Sequence, residues 1–188
     1  MKIGVFVGSF NPVHKGHIRI VNYVLDKYLD KVIIVPTGNY WDKQNLVDVK
    51  YRINMLKIYQ SDRIVIDEEN NNIPYTYQVL ENLGKKYNNS ELYLIIGADN
   101  IIKFDKWMEY KKLLNYNIII INRDDVDIKY YLDKLNKKDK YIITESLPNI
   151  NLSSTYIREN IKNNTFHNIK DKIDESILNY INNNNLYK

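Results

Sequence analysis

The sequence has no cysteine among its 188 residues. This absence excludes disulfide bridges, thiolate metal sites and thiol nucleophiles, so any catalysis must use other side chains. Glycine and proline are also scarce, with 6 and 4 residues, and no stretch rich in glycine, serine or proline divides the chain. We therefore expect a single domain over residues 1–188, because a chain of this length can bury one sizeable core.

Long hydrophobic runs are missing as well. A membrane-spanning helix needs about 18 consecutive apolar residues, which occur nowhere in the chain. The opening MKIGVFVGSF, residues 1–10, lacks the cleavage site of a secretory signal. We expect a cytoplasmic protein without membrane segments. The net charge of +4 comes from lysines interspersed with acidic residues, not from a dense basic stripe, so nucleic acid is not an expected partner.

Short apolar runs alternate along the chain with segments whose apolar residues recur at helical spacing. The runs predict strands over residues 3–7, 31–36, 63–66, 91–97, 117–121 and 141–144. The other segments predict helices after residue 16, after Thr76 as N-cap, and over residues 48–59, 104–114, 127–135, 153–161 and 169–181. This alternation indicates an α/β protein with a Rossmann-like, open, mainly parallel sheet and helices on both faces.

The segment GSFNPVHKGH, residues 8–17, connects the first predicted strand to the first predicted helix. In an open parallel sheet this turn normally belongs to the ligand site. Gly8 and Ser9 allow main-chain amides to approach phosphate oxygens, and Pro12 stiffens the loop. His14 and His17 lie near a helix start, whose partial positive charge favours anions. The segment therefore favours phosphate binding.

The two histidines have two other interpretations. Histidines three residues apart can share a metal ion, but a zinc site needs a third protein ligand. The remaining histidine, His167, is far along the chain. Alternatively, His14 and His17 only cap and pack the turn.

A second polar segment, LSSTYIR, covers residues 152–158. Ser153, Ser154 and Thr155 offer hydroxyls and amides at a predicted helix start. Arg158 adds a guanidinium one turn later, so the segment suits an anion. An ordinary helix N-cap is the alternative interpretation.

Both polar segments resemble signatures of one superfamily of nucleotidyltransferases. Residues 8–17 resemble GxFxPxHxGH, the form of the HIGH motif shared by nucleotide adenylyltransferases, pantetheine-phosphate adenylyltransferases and several cytidylyltransferases. Residues 152–158 resemble the second signature, ISSTxIR. The resemblance implies that His14, His17 and Arg158 are catalytic and that residues from about 150 to 188 complete the ATP site. The other implied ATP-binding residues are Gly8, Ser9, Phe10, Gly97, Asp99, Ser153, Ser154 and Thr155.

The middle of the chain resembles the nicotinate mononucleotide adenylyltransferase family. Residues 95–110, IIGADNIIKFDKWMEY, are similar to its IIGxDxxxxxxxW pattern. PYTYQVL, at 74–80, is similar to SYTxxTL, and YINNNNLY, at 180–187, to YIxxxxLY. The resemblance implies an acceptor site in which Thr76 meets the nicotinate carboxylate and Trp107 stacks on the pyridine ring, although Trp107 as plain core packing is the alternative.

The chain departs from this family at three places. PTGNYWDKQN, residues 36–45, stands where the family usually has a PPHK-type loop, so Lys43 is the counterpart of its basic residue. Met108 stands where a tyrosine is common, and we include it in the acceptor site. Asn11 replaces a frequent aspartate and keeps its turn-forming role.

The expected reaction is transfer of AMP from ATP to nicotinate mononucleotide, which gives deamido-NAD and pyrophosphate in NAD biosynthesis. ATP and nicotinate mononucleotide are the expected partners, and a homo-oligomer is compatible with the sequence. Mg²⁺ is the expected cofactor, bound mainly through the ATP phosphates. The alternatives are a nicotinamide mononucleotide or phosphopantetheine-type acceptor on the same fold, and an inactive nucleotide-binding or RNA-binding module.

Overall fold

The computed structural model describes residues 1–39, 46–123, 126–147 and 152–188. The strands in these ranges are β1 Lys2–Gly8, β2 Lys31–Pro36, β3 Ile64–Ile66, β4 Glu91–Gly97, β5 Asn117–Ile121 and β6 Tyr141–Ile143. They form one sheet in the order β3-β2-β1-β4-β5-β6. Every neighbouring pair is parallel, so the sheet is wholly parallel where the sequence predicted a mainly parallel one. This strand order is that of the Rossmann fold, which confirms the predicted fold class.

Helices cover both faces of the sheet. They are α1 Lys15–Lys27, α2 Val49–Lys57, α3 Thr76–Lys86, α4 Ala98–Ile101, α5 Tyr110–Leu113, α6 Ile128–Lys134, α7 Ser154–Lys162 and α8 Glu175–Asn183. Buried residues of α1, α2, α7 and α8 pack in one core, and those of α3, α4, α5 and α6 pack in the other. Within the described ranges, no helix has the length and apolar character needed to cross a membrane.

The run of isoleucines in β5 shows why the strands read as continuous apolar segments. Ile119 and Ile121 lie in the core that contains α1, whereas Ile118 and Ile120 lie in the opposite core. Successive side chains of a strand point to opposite faces, so a strand covered on both faces must be apolar at every position. The sheet therefore buries four successive isoleucines.

The order of the strands reverses between β1 and β4. From β1 the chain moves outward through β2 and β3, and it then returns to pair β4 with the other side of β1. Ligands of open α/β sheets bind beyond the carboxyl ends of the strands at such a reversal. The segments that follow Gly8 and Gly97 lie at this edge.

The predicted helix over 104–114 is wrong. The structure has a 3₁₀ turn at Phe104–Lys106, an extended Trp107 with φ −73° and ψ 141°, a left-handed Glu109 with φ 52°, and then α5. Phe104 and Leu113 are both buried in the same core. Residues nine apart on one α-helix point about 180° apart, so a continuous helix would send one of them to solvent. The break buries both.

Two predicted helix starts are also corrected. Helix α3 has Tyr75 as its N-cap, and Thr76 is its first helical residue. The predicted helix over 169–181 begins only at Glu175. There, the Lys172 carbonyl accepts a hydrogen bond at 3.0 Å from the Lys15 amide at the start of α1. This contact uses a carbonyl that an earlier helix start would have kept within α8.

Candidate active site

The loop between β1 and α1 packs around the ring of its own residue Phe10. Phe10 has φ 46°, and its ring is only 3% exposed. The ring packs edge-on against Phe6 and His17, with centroids 5.3 and 5.0 Å away. A Cβ added to Gly8 would lie 3.1 Å from the Phe10 ring, which explains the glycine. The Phe10 side chain therefore supports His17, and its main chain is the part suited to a ligand.

His14 and His17 cap α1 reciprocally. The His17 amide donates to His14 Nδ1 at 3.4 Å, and the His14 amide donates to His17 Nδ1 at 3.3 Å. The two rings stack with centroids 3.7 Å apart. Capping of the helix start therefore accounts for the hydrogen bonds that the two Nδ1 atoms accept. Because each Nδ1 accepts a hydrogen bond, each neutral ring carries its proton on Nε2, where it can donate to a ligand.

Both imidazoles are electrically neutral near pH 7. Burial lowers the pKa of His14 to about 4, and the positive charge of Arg123 contributes to that shift. Burial also lowers the pKa of His17 well below its usual value, helped by His14 and Arg123. A buried base resists taking up a charge that it cannot share with water. The pair therefore suits hydrogen-bond donation to phosphate as neutral rings and supplies no positive charge.

The two polar segments predicted from sequence meet in the structure. Arg158 donates from Nη1 to the Asn11 carbonyl at 2.8 Å, and Ser154 Oγ donates to the Pro12 carbonyl at 2.9 Å. Arg158 Nη2 also donates to Thr155 Oγ1 at 3.1 Å. Residues 147 positions apart in the chain are thus joined at one loop. Arg158 reaches the first loop while its neighbour Thr155 stays exposed.

Ser153 has a different role from its neighbours. It is the N-cap of α7, and its Oγ accepts a hydrogen bond from the Tyr156 amide at 3.1 Å. The ordinary N-cap interpretation is therefore right for Ser153. Ser154 and Arg158 instead turn toward the first loop, so the segment divides between forming a helix start and contacting the site.

Gly97 and Asp99 follow β4 at the same edge of the sheet. Asp99 Oδ1 accepts hydrogen bonds from Arg123, with 3.0 Å between Oδ1 and Nε. A Cβ added to Gly97 would lie 2.5 Å from Asp99 Oδ1 and 3.1 Å from Arg123 Nε. Gly97 therefore leaves space for this ion pair, which holds the Asp99 carboxylate in place.

Sequence reasoning missed three residues at this edge: Arg52, Arg123 and Tyr187. Arg123 comes two residues after β5, so the position of strand ends could have pointed to it. Arg52 donates to the Ser9 carbonyl at 2.6 Å, and the Tyr187 hydroxyl donates to Asn11 Oδ1 at 2.9 Å. Arg52 has no local sequence signal, whereas Tyr187 ends the segment at 180–187 that resembles the family pattern, although its partner Asn11 is far away in the chain.

A cavity of about 630 Å³ opens beside the first loop. Gly8 and Ser9 form part of one wall, and Thr76, Trp107 and Met108 contribute to the rest. Three of the four predicted acceptor residues thus share a cavity with the start of the loop. Trp107 is half-buried and its ring packs on Phe104 with centroids 5.2 Å apart, while Met108 is 51% exposed.

The fourth predicted acceptor residue, Lys43, lies outside the described residues. A second cavity, of about 350 Å³, lies against α7. Thr155, Arg158 and Tyr187 are among the residues that line it. One cavity therefore lies beside the start of the first loop, and the other lies beside Arg158 and Tyr187, which contact that loop.

Residues 5–160 match a family model described as cytidylyltransferase-like. This range contains all six described strands apart from the first residues of β1, and it also contains both polar segments. The fold and this match thus place the chain among the cytidylyltransferase-like nucleotidyltransferases.

Curated relatives narrow this class. A protein of Clostridium tetani named "Probable nicotinate-nucleotide adenylyltransferase" is 35% identical over 202 residues, covering 100% of this chain and 99% of the relative. A protein of Fusobacterium nucleatum with the same name is 38% identical over 176 residues, covering 87% and 89%. The chain belongs to the nicotinate-nucleotide adenylyltransferase family.

The fold of this chain is also similar to solved structures of this family. The nicotinic acid mononucleotide adenylyltransferase of Plasmodium falciparum, complexed with NaAD, superposes with a TM-score of 0.82 and 26% identity, covering 99% of this chain and 97% of that one. The same enzyme complexed with APC gives a TM-score of 0.81. The overall path of this chain is thus that of an adenylyltransferase of the family.

Proposed function

We propose that this protein is a nicotinate-nucleotide adenylyltransferase, which transfers AMP from ATP to nicotinate mononucleotide and releases pyrophosphate. One observation carries the proposal: the histidine loop and Arg158 meet, at 2.8 Å between Arg158 Nη1 and the Asn11 carbonyl, beside a cavity lined by Thr76 and Trp107. The proposed phosphate site and the proposed site for a flat ring thus adjoin. Family membership at full length supports the same activity.

The proposed reaction is a direct in-line displacement. A 5′-phosphate oxygen of the mononucleotide forms a bond to the α-phosphorus of ATP, and the bond from that phosphorus to the bridging oxygen breaks. Pyrophosphate leaves with the electron pair, so no covalent intermediate on the enzyme is needed. Catalysis of such transfers rests on positioning and on donors directed at developing charge.

The donors have separate roles in this proposal. His14 and His17, held neutral, donate Nε2–H hydrogen bonds to oxygens of the α-phosphate and to the bridging oxygen. Arg158 supplies positive charge to the β- and γ-phosphates, together with the Thr155 hydroxyl that it already contacts at 3.1 Å. A neutral donor needs no counterion before the substrate binds, so the imidazoles suit a buried position.

The acceptor is proposed to bind in the cavity of about 630 Å³. Trp107 presents a flat indole, whose face suits an electron-poor pyridine ring. Thr76 is the first residue of α3, and the partial positive charge of that helix start favours the nicotinate carboxylate. Asp99, fixed by Arg123, is proposed to accept hydrogen bonds from a ribose hydroxyl.

Mg²⁺ is proposed to enter the site as part of the ATP complex. Within the described ranges, no cluster of three or more His, Asp or Glu side chains is arranged to hold a metal ion. Mg²⁺ typically keeps several waters and binds through substrate phosphates, so it needs no protein cage here. It would offset phosphate charge. Pyrophosphate release measured across a Mg²⁺ titration should rise from near zero in EDTA.

We also propose that the protein works in the cytoplasm, where ATP is available to it. Fractionation of cells followed by immunodetection should find the chain with cytoplasmic markers. Recovery mainly with membranes would contradict this proposal.

The acceptor is tested by a pyrophosphate-release assay with ATP and Mg²⁺. Nicotinate mononucleotide, nicotinamide mononucleotide and phosphopantetheine are compared at equal concentration, and products are identified by mass. We expect the highest kcat/KM with nicotinate mononucleotide and the mass of deamido-NAD. Preference for phosphopantetheine would overturn the acceptor assignment. Failure of purified, folded protein to turn over any acceptor would favour an inactive nucleotide-binding module.

A further inference from the structure

Arg52 lies in α2, outside both signature segments, and its side chain is completely buried. It donates from Nη1 to the Ser9 carbonyl at 2.6 Å, from Nε to the Val47 carbonyl at 3.0 Å, and from Nη2 to Asn39 Oδ1 at 3.0 Å. One guanidinium thus joins the first loop to the segments that follow β2 and precede α2. Complete burial of arginine is rare unless its donors are satisfied, as they are here.

The bond to Ser9 also orients the next peptide amide. In a trans peptide, the carbonyl of one residue and the N–H of the next point in opposite directions. Because the Ser9 carbonyl points at Arg52, the Phe10 N–H points away from Arg52. The same argument applies to Pro12, whose carbonyl faces Ser154, and to the Val13 N–H. The hydrogen bonds from Arg52 and Ser154 therefore fix the direction of the Phe10 and Val13 amides.

Tyr187 holds the same loop from a second side. Its hydroxyl donates to Asn11 Oδ1 at 2.9 Å, and the Val47 amide donates to the same oxygen at 3.3 Å. Burial raises the pKa of Tyr187, so its hydroxyl keeps the proton that it donates. The Asn11 main chain, in turn, accepts from Arg158. Tyr187 thus contacts Asn11, and Asn11 contacts Arg158, the residue assigned to the phosphates.

We propose that Arg52 and Tyr187 are positioning residues for adenylyl transfer, which fix loop 9–12 in the conformation that aligns its amides and Arg158 with the triphosphate. This inference rests on the proposed function. Neither residue needs to touch substrate. Loosening of the loop misplaces the donors in the transition state more than it weakens binding of the substrates, so kcat should fall more than KM rises.

The opposite edge of the sheet provides matched controls. Arg63 also donates three hydrogen bonds, to the carbonyls of Asp30, Leu25 and Leu29 at 3.1, 2.5 and 3.0 Å. Tyr93 donates from its hydroxyl to Glu91 at 3.0 Å. Both residues belong to the amino edge, away from the signature loop. Replacing them removes comparable hydrogen bonds without changing loop 9–12.

The main test compares Arg52→Lys with Arg63→Lys. Lysine keeps the charge but loses the planar fork, so it cannot make the same three bonds. Thermal unfolding gives the stability of each variant, and pyrophosphate release is measured well below the unfolding temperature. For Arg52→Lys we expect kcat to fall about tenfold to a hundredfold with both KM values within about threefold. Arg63→Lys should keep wild-type kcat.

Equal kcat per folded molecule in Arg52→Lys and Arg63→Lys would overturn the role of Arg52. Tyr187→Phe against Tyr93→Phe keeps the proposal testable if Arg52→Lys does not fold, since it removes one hydroxyl. We expect kcat to fall about threefold to tenfold in Tyr187→Phe alone, and an unchanged kcat would overturn the proposal. An inactive wild-type protein would instead overturn the proposed function, so the two failures are distinct.

Discussion

Arg52 and Arg63 perform the same local task at opposite edges of one sheet. Each arginine donates three hydrogen bonds to oxygens of other segments, Arg52 to three separate ones and Arg63 to the single stretch 25–30. Arg52 is buried and holds the loop that follows β1, whereas Arg63 is exposed and holds the turn that precedes β2. The comparison shows that an arginine can stabilise a loop at either edge of the sheet. Only a loop at the carboxyl ends of the strands lies where ligands of such sheets bind.

Cavity size does not distinguish the two edges either. The amino edge has a cavity of about 780 Å³, larger than that beside Trp107. Its lining mixes charges of both signs, including Lys2, Asp30, Arg63 and Glu91. At the carboxyl edge the Asp99 carboxylate is paired with Arg123, while Arg158 and two neutral imidazoles are brought together at one loop. Convergent donors of one kind fit an anion, and they distinguish this edge from the other.

The largest expected effect comes from removing an imidazole at the carboxyl edge. His17→Ala should lower kcat on the order of a hundredfold or more, because the transition state loses a positioned hydrogen-bond donor. The measurement is pyrophosphate release with saturating substrates. His167→Ala, which alters an exposed histidine of the 3₁₀ turn Phe166–Asn168, should change kcat little. Near-normal turnover in His17→Ala would contradict the catalytic role.

A smaller effect is expected at the acceptor cavity. Trp107→Ala should raise the KM for nicotinate mononucleotide about tenfold, or ~1.4 kcal/mol, through loss of the aromatic face. The KM for ATP should stay near its wild-type value. Tyr130→Ala, which removes an aromatic side chain that is 58% exposed on α6, is the control. Equal changes in both KM values would show that Trp107 only packs the fold.

Two glycines sharpen the comparison between a site edge and a helix. Gly97→Ala should lower kcat/KM severalfold, because the new Cβ would lie 2.5 Å from Asp99 Oδ1 and displace the pair with Arg123. In Gly84→Ala, within α3, the nearest contact would be Leu92 Cδ1 at 3.9 Å. That variant should gain about 0.5–1 kcal/mol of stability with unchanged activity. Activity unchanged in Gly97→Ala would remove the reason given for that glycine.

The mildest test only changes pH. His14 should stay neutral down to pH 5 and titrate near its folded pKa of about 4 in ¹⁵N NMR spectra of the imidazoles. In the unfolded chain the same group titrates near 6.5. Between these values only the unfolded state takes up the proton, so the free energy of unfolding should fall as pH falls through this window. A His14 signal that titrates near 6.5 would contradict its burial.

The sequence predicted the strands well because they carry local signals. Residues 117–121 are predicted and found as β5, since a strand buried on both faces is apolar at every position. The prediction of a continuous helix over 104–114 was wrong. The chain must break there because Phe104 and Leu113 are buried in the same core, which the local sequence pattern does not show. The predicted start of α8 was also wrong, since the Lys172 carbonyl accepts from the Lys15 amide and not from an amide of the helix.

The candidate site divides in the same way. Residues within the two signature segments could be predicted, because histidines, serines and arginine at helix starts suit anions by their own chemistry. Arg52 could not be assigned, since a long polar side chain on a helix gives no sign of what it will contact. Arg123, at a strand end, and Tyr187, in the segment at 180–187, had weak signals that named no partner. The structure shows their partners, which lie in distant segments of the chain.

By itself, the sequence determined an α/β fold, the two polar helix starts and membership of one family, since each depends on local pattern or on motif. Only the tertiary structure decided that the imidazoles are neutral, that Asn11 accepts from Arg158 and Tyr187, and that Trp107 borders the first loop. These properties arise from burial and from contacts between distant segments. Burial and contact depend on where the chain returns in space, and no short stretch of residues contains that information.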